Sequence, residues 1–567
     1  MKGPTPSRRT TKRVSRYRHL PWLGLLAILG ACSPAGSPAD EEGRRSFTLI
    51  SVNDIYRIEG LDEGREGGLA RLRSLRREIE QEHPDLLLLH AGDLLFPSML
   101  SRLYRGEQMI DAMNLLDGSD GVFDSRLFVT FGNHEFDDGD LEDAKGLQSR
   151  IEQSDFDWLA TNIVFVADES GQPLVAAENL KPSVLVESGG VRIGIFSLTT
   201  DMAQPEYVAE FESPTEVARR TVAKLRSQGA EVVLALTHLQ LSQDEALLRE
   251  LGDEGPDLIL GGHEHNRLTR EIEGRWVLKA DADGRTAIVA TVTPARAGSS
   301  LPPHVDFEFR TLSDDDPPPD PLVEERVASW LARHDREYCR EELDRPAGCL
   351  QEVIGRTRTD LTAEELEIRR FETNLGNWIV DRALLDFSEL GAQLAFTNSG
   401  GLRSNSDISA GTDITRLHVE EIFAYPTRLV LLRIDGSTLQ RVVSHAITDW
   451  TGNGHFLQIA GFAYRHDPSA STATDLTLLT PDAARPIAAD EELLVVTNDF
   501  LVNPRIGDQD GFDFLTPDMI VDTGDEPVDL RDLVIEGLRA SLPHGIAPEV
   551  VGRICNSQRS GPCLALP

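Results

Sequence analysis

Five short apolar runs each end in residues that bind metals or move protons. Leu49–Val52 leads into Asn53-Asp54-Ile55-Tyr56, and Leu86–Leu89 leads into His90-Ala91-Gly92-Asp93. Leu127–Thr130 leads into Phe131-Gly132-Asn133-His134-Glu135-Phe136-Asp137. Val232–Leu236 leads into Thr237-His238, and Leu258–Leu260 into Gly261-Gly262-His263-Glu264-His265. Carboxylate, amide oxygen and imidazole without thiolate suit hard or borderline divalent ions such as Zn, Mn, Co or Fe. Asp54, Asp93, Asn133, His238, His263 and His265 exceed one tetrahedral site, so two ions are implied. A carboxylate can bridge a pair about 3.5–4 Å apart, which clamps the oxygens of an in-line displacement. Taken singly, Asp54 or Asp93 could cap a helix and His238 could be a core histidine. The ordered set is hard to obtain by chance. His83 and His90 fall outside the pattern and read as structural.

These residues need a frame that brings strand ends together. Phe47–Val52, Leu86–Leu89, Leu127–Thr130, Val191–Leu198, Val232–Leu236 and Leu258–Leu260 read as short buried strands, with helices at Arg71–Glu80 and Thr215–Leu225. The alternation predicts an α/β fold with its sheet covered on both faces, and such sheets bind ligands at the carboxyl ends of their strands. The run Ser313-Asp314-Asp315-Asp316-Pro317-Pro318-Pro319-Asp320-Pro321 opposes helix and ladder alike and reads as a linker. A helix from Leu322 to about Tyr338 follows. A second domain then mixes a helix (Glu372–Leu385) with strands at Leu394–Thr397, Val430–Ile434 and Leu493–Thr497.

Composition narrows the partners. The chain has 567 residues, is 40% hydrophobic and carries a formal net charge of −38. Mean hydropathy is −0.25. These values exclude a polytopic membrane protein and generic nucleic-acid binding through a basic surface. The charge is uneven: residues 1–20 hold seven basic residues and no acidic one, which leaves the remainder at −45. Behind that basic start, Leu20–Ala31 is too short to span a bilayer and has the length of a signal-peptide core. Leu29-Gly30-Ala31-Cys32 resembles a bacterial lipobox, which implies cleavage before Cys32, its acylation and a lipid anchor in the cell envelope, on the periplasmic side or at the outer membrane. Residues 33–46 read as a flexible tether. The remaining cysteines, Cys339, Cys349, Cys555 and Cys563, are even in number, as disulfides in an oxidising compartment would require. Short separations favour Cys339–Cys349 and Cys555–Cys563, although four cysteines allow three connectivities.

The motifs in this order resemble those of the calcineurin-like metallophosphoesterases, and Gly132-Asn133-His134-Glu135-Phe136-Asp137 resembles the 5′-nucleotidase family in particular. Arg369-Arg370-Phe371-Glu372-Thr373-Asn374-Leu375-Gly376-Asn377, Asn398-Ser399-Gly400-Gly401-Leu402-Arg403 and the Gln509-Asp510-Gly511-Phe512 stretch resemble that family's C-terminal domain. The resemblance implies a four-layer α/β sandwich at 47–312, a linker and helix at 313–350, and a second α/β (α+β) substrate-binding domain at 351–567. It implies the six metal ligands named above with Asp93 bridging, His134 as the catalytic histidine and Asp137 as its orienting partner. It further implies Arg369 and Arg403 on the nucleotide, Asn398 on the base, Asp510 on the ribose, and Tyr425 with Phe500 as the aromatic clamp of the base. The implied activity is hydrolysis of nucleoside monophosphates or related nucleotides by a hydroxide held on two divalent ions.

Three departures stand out. Tyr56 replaces the histidine of the opening motif and is a possible ligand itself. Ala424-Tyr425-Pro426-Thr427 shifts the proline near the clamp. Asn503-Pro504-Arg505-Ile506-Gly507-Asp508-Gln509 replaces a shorter Gly-Gly turn. The departures keep two alternatives open: a metallophosphoesterase of another substrate class (cyclic nucleotide, nucleotide sugar, sugar phosphate or sulfur ester), and a degenerate surface binding protein.

Overall fold

The structure is a computed structural model. It describes residues 45–567 apart from 297–298, 300, 315, 451, 481–482, 504–510, 525–526 and 566–567. The leader, Cys32, most of the tether and Asp510 lie outside the described residues.

Two sheets form the N-terminal part. The first runs His304–Thr311, Thr286–Thr293, Phe47–Val52, Leu87–His90, Leu127–Thr130, Asp157–Leu159, Leu180–Lys181. The second runs Leu268–Ile272, Arg275–Lys279, Leu258–Gly261, Val232–His238, Val191–Thr199, Ser183–Ser188. Their central strands are parallel, so the chemistry-bearing ends fall on one edge of each sheet. Alternation along the strands explains the stacking. Leu49, Leu87 and Leu89 meet Ile193, Ile195, Val232, Leu234, Leu236 and Leu260 in one core between the sheets. Ile50, Val52 and Leu88 point the other way, onto helix Leu69–Glu80 and its neighbours. Phe196, Leu198, Val233 and Ala235 pack on helices Pro214–Ser227 and Leu241–Leu251. The result is the expected four-layer α/β sandwich.

The expected strands are present with ends moved by a residue or two. Val232–His238 reaches further than expected, so His238 lies on the strand itself. Absent from the sequence reading were Arg275–Lys279, parallel to Leu258–Gly261, and the antiparallel additions at Ser183–Ser188, Leu268–Ile272, Thr286–Thr293 and His304–Thr311. Leu268–Ile272 and His304–Thr311 are half-exposed and charged, so no continuous apolar run marks them.

The Asp/Pro segment is held rather than loose. Arg71, itself buried, donates to Ser313 O at 3.0 Å and Pro317 O at 2.9 Å and pairs with Asp314 at 2.6 Å. Helix Pro321–Glu341 follows, with Asp320 capping Leu322 N–H at 3.0 Å. Its Val323, Val327, Trp330 and Tyr338 belong to the core of the N-terminal part. Both favoured disulfides, Cys339–Cys349 and Cys555–Cys563, are formed.

In the C-terminal part a four-stranded sheet runs Leu429–Asp435, Glu492–Asn498, Leu394–Asn398, Leu457–Ala460. Ala395, Leu431 and Val496 face helix Asn374–Asp386, while Phe396, Leu432 and Val495 face helix Gly436–Ala446. The first of these helices starts after Thr373, whose side chain accepts from Gly376 N–H at 3.1 Å. Within this sheet only Leu394–Asn398 and Glu492–Asn498 pair in parallel, and Asn498 Nδ2 donates to Asn398 Oδ1 at 2.9 Å where both end.

Candidate active site

The strand-end loops carry strained backbone. Asp54, Asp93, His263 and His265 have φ of 52°, 58°, 89° and 60°. Non-glycine residues in this region cost on the order of 1–3 kcal/mol each and cluster at functional sites. Two glycines permit the close approach. A Cβ on Gly92 would lie 2.6 Å from Gly132 N and 2.8 Å from His238 Nδ1, and one on Gly132 would lie 2.1 Å from Asp93 Oδ1. Glu135, buried, ties these two loops together by accepting N–H groups of Asp93 (2.9 Å), Leu94 (2.7 Å), Leu95 (3.1 Å) and Gly132 (2.5 Å). Sequence reasoning gave Glu135 no role.

The loops bring Asp54, Asp93 and His265 together, with a ligand atom of each within 4.8 Å of the others. His238 Nδ1 donates to Ala91 O at 2.7 Å, which turns its Nε2 to Asp93 Oδ2 at 3.2 Å. The His238 and His263 rings are 5.3 Å apart, and His263 N–H donates to Asp54 Oδ2 at 2.9 Å. Asn133 Oδ1 is buried with no hydrogen-bond partner among the described residues. The Tyr56 hydroxyl lies inside this cluster, 3.0 Å from Asp93 Oδ2, 3.3 Å from Asp54 Oδ1 and 2.9 Å from His265 Nε2. An oxygen- and imidazole-rich set with an orphaned amide oxygen fits a divalent-ion centre. Electrostatics favour anionic carboxylates here. Burial alone would raise Asp54, but the charges of His265 and His238 hold it well below the usual range. Burial alone would lower His265, but Glu365 and Asp54 push it up to about 9.

His134 stands beside the cluster. Its N–H donates to Asp93 Oδ1 at 2.8 Å, its Nδ1 is 2.9 Å from Asp137 Oδ1, and its Nε2 is 4.0 Å from Asp93 Oδ2. Burial disfavours its charged form, yet Asp137 and Asp93 outweigh that and raise its pKa above the ordinary histidine value.

The C-terminal part reaches onto the same edge. Arg403 lies over the Tyr56 ring at 4.8 Å and 3.8 Å from Glu365 Oε1, and its Nη2 is buried with no hydrogen-bond partner among the described residues. Arg369 pairs with the same Glu365 oxygen. Tyr425 donates to Asp137 Oδ2 at 2.7 Å and meets His134 Nδ1 at 3.1 Å. Asn398 accepts from Asn498 Nδ2 at 2.9 Å. Phe500 is half-buried against the second core of this part and makes no ring contact with Tyr425 among the described residues. Glu365, like Glu135, was missed. Its i,i+4 spacing to Arg369 was the available signal.

Fold and cluster together define a hydrolase of phosphoester bonds. Residues 47–267 match the model for calcineurin-like phosphoesterases, and 353–516 match that for the 5′-nucleotidase C-terminal domain. The chain belongs to the 5′-nucleotidase family. It is 24% identical to the 5′-nucleotidase of Homo sapiens, over 95% of this chain and 95% of that protein. It is 25% identical to the trifunctional nucleotide phosphoesterase YfkN of Bacillus subtilis, over 81% of this chain and 32% of that longer protein. The solved 5′-nucleotidase precursor from Thermus thermophilus superposes with a TM-score of 0.73 at 25% identity, over 91% of this chain and all of that one. The Thermus thermophilus sulfate thiohydrolase SoxB shares the fold, with a TM-score of 0.67 at 17% identity over 90% and 97% of the two chains.

Proposed function

We propose that the chain is an exported, lipid-anchored phosphohydrolase that releases phosphate from nucleoside monophosphates or closely related nucleotides. The observation that carries this reading is the His134–Asp137 pair standing beside the Asp54, Asp93, His265 cluster, with Arg369 and Arg403 held on the opposite wall. The nucleotidase names of the relatives support the substrate class.

In this reading Asp54, Asp93 and His265 hold one divalent ion, and Asp93, Asn133, His238 and His263 hold a second. When bound, such a pair activates water for attack on phosphorus and neutralises the phosphate oxygens. The chain's own groups do the rest. Asp137 takes the Nδ1 proton of His134 as a hydrogen bond, which leaves a proton on Nε2 for the leaving oxygen. Arg403 and Arg369 supply fixed positive charge to a phosphate ester in a protein whose net charge otherwise repels it. Residues 47–312 serve as the catalytic domain and 351–567 as the substrate domain, with Asn398, Tyr425 and Phe500 assigned to the nucleoside and Asp510, outside the described residues, assigned to the ribose by resemblance alone.

Export rests on the leader and Cys32, and the two disulfides accord with an oxidising compartment. Among the described residues no helix is long and apolar enough to cross a membrane.

The test is phosphate release from a panel of nucleoside monophosphates, cyclic nucleotides, nucleotide sugars and sugar phosphates, each with Mn, Co or Zn. Nucleoside monophosphates should give the highest kcat/KM. Equal rates on esters that lack a base would overturn the nucleotide assignment.

A further inference from the structure

Glu365 belongs to the C-terminal part, on the short helix Glu365–Ile368. Its carboxylate nevertheless reaches the metal-competent cluster. Oε2 is 2.8 Å from His265 Nδ1. A carboxylate accepts, so Nδ1 carries the proton and Nε2 is the atom left for Asp54 Oδ1, 3.3 Å away. The other oxygen is committed elsewhere, to Arg369 and to Arg403 at 3.8 Å. Asn405 Oδ1 accepts from Glu365 N–H at 3.2 Å, and Asn405 Nδ2 donates to Asp283 of the N-terminal part at 3.2 Å. The carboxylate is therefore buried, anchored on one side by cations and aimed on the other at one imidazole. A carboxylate on the far nitrogen of a ligating histidine fixes its tautomer and ring orientation and raises its basicity toward the metal.

We propose that Glu365 is a positioning residue supplied in trans by the C-terminal part, which holds His265 with Nε2 turned to the ion shared with Asp54 and Asp93. Divalent-ion affinity then depends on the C-terminal part being seated. By linkage, a bound ion strengthens that seating by the same factor. The proposal rests on the reading of His265 as a metal ligand.

The test measures Zn affinity, by competition with a chromogenic chelator, for the parent chain and for Glu365→Gln, His265→Ala and the double variant. Melting curves establish that each is folded. Glu365→Gln should weaken the affinity for one ion by about 10–100-fold. In the His265→Ala background the same substitution should change affinity by less than about twofold, the scatter expected of uncoupled sites. Equal losses in both backgrounds would assign the effect to the arginine pairs and overturn the proposal, as would no loss in the single variant. Should Glu365→Gln not fold, Glu365→Asp keeps the charge for the arginines while falling short of Nδ1, and the same loss is expected. A His265→Ala chain with parental Zn affinity would overturn the ligand assignment itself, a failure distinct from that of Glu365.

Discussion

Asp54, Asp93, His263 and His265 sit on left-handed backbone, whereas Glu365, Arg403 and Tyr425, which meet the same site from the C-terminal part, sit on ordinary backbone and are held by charge and hydrogen bonds. The first wall is rigid because its strain is locked in, by Glu135 across two loops and by glycines that admit no side chain. The second wall is attached through separate side-chain contacts, among them Glu365 to His265, Tyr425 to Asp137 and Asn405 to Asp283. The comparison teaches where each kind of property resides. In the proposed reading the first wall carries the metal ligands and the proton-transfer pair, while the second carries the substrate contacts and, through Glu365, the orientation of His265.

Substitutions on the strained wall should have the largest effects. Asp93→Ala removes the carboxylate that lies within reach of His238, Tyr56 and the His134 N–H at once. Turnover should fall to background, and metal analysis should show a lowered ion content. Activity restored by excess Mn would show that Asp93 is not shared between the ions.

His134→Ala should lower kcat by roughly 10²–10⁴-fold, the range for a lost general acid, with ion content and fold intact. Parental turnover would sink the mechanism. The pH profile gives the sign. In the proposed mechanism the acid form of His134 is the active one, and its pKa is raised by Asp137 and Asp93 against burial. Activity should therefore be present at low and neutral pH and be lost as pH rises through that raised value. Asp137→Asn removes the first of these charges and should move the alkaline limb to lower pH.

The same contrast governs how much could be read in advance. The strained wall was legible because each group follows an apolar run, and in three of the five cases a glycine, so strand ends and sharp turns announce themselves. The two sheets were legible only at their buried parallel strands. Their antiparallel edges, such as Leu268–Ile272 and His304–Thr311, carry charges on the exposed face and leave no apolar run. Glu365 and Glu135 were illegible for a different reason. A glutamate acts here through tertiary contacts, to a histidine 100 residues away in one case and to four backbone amides in the other. Tyr56 was visible as a departure from the family motif, but its hydroxyl lying amid the ligands follows only from the fold.

On the second wall, Arg403→Ala should reduce kcat/KM by roughly 10–100-fold, as expected for a charge-assisted hydrogen bond worth about 1.5–3 kcal/mol. Ion content should hold. A change in kcat/KM equal for nucleotides and for inorganic pyrophosphate would place Arg403 on the phosphate. A loss confined to nucleotides would place it on the nucleoside.

Tyr425→Phe should have the smallest effect and sharpens the contrast most. The substitution keeps the ring, so a clamp on the base would leave KM unchanged. It removes only the O–H that donates to Asp137 at 2.7 Å and meets His134 at 3.1 Å. A hydrogen bond to a carboxylate is worth about 1.5–3 kcal/mol, but Asp137 keeps its own bond to His134, so only part of that reaches turnover and kcat should change by roughly 2–10-fold. The direction of the pH shift distinguishes the hydroxyl from the carboxylate it serves. The hydroxyl shares the charge of Asp137, and without it that charge acts on His134 undiluted. The alkaline limb should then move to higher pH, opposite to the shift expected for Asp137→Asn. A move in the same direction as Asp137→Asn would mean that Tyr425 helps orient the pair, and the strained wall would then extend into the C-terminal part.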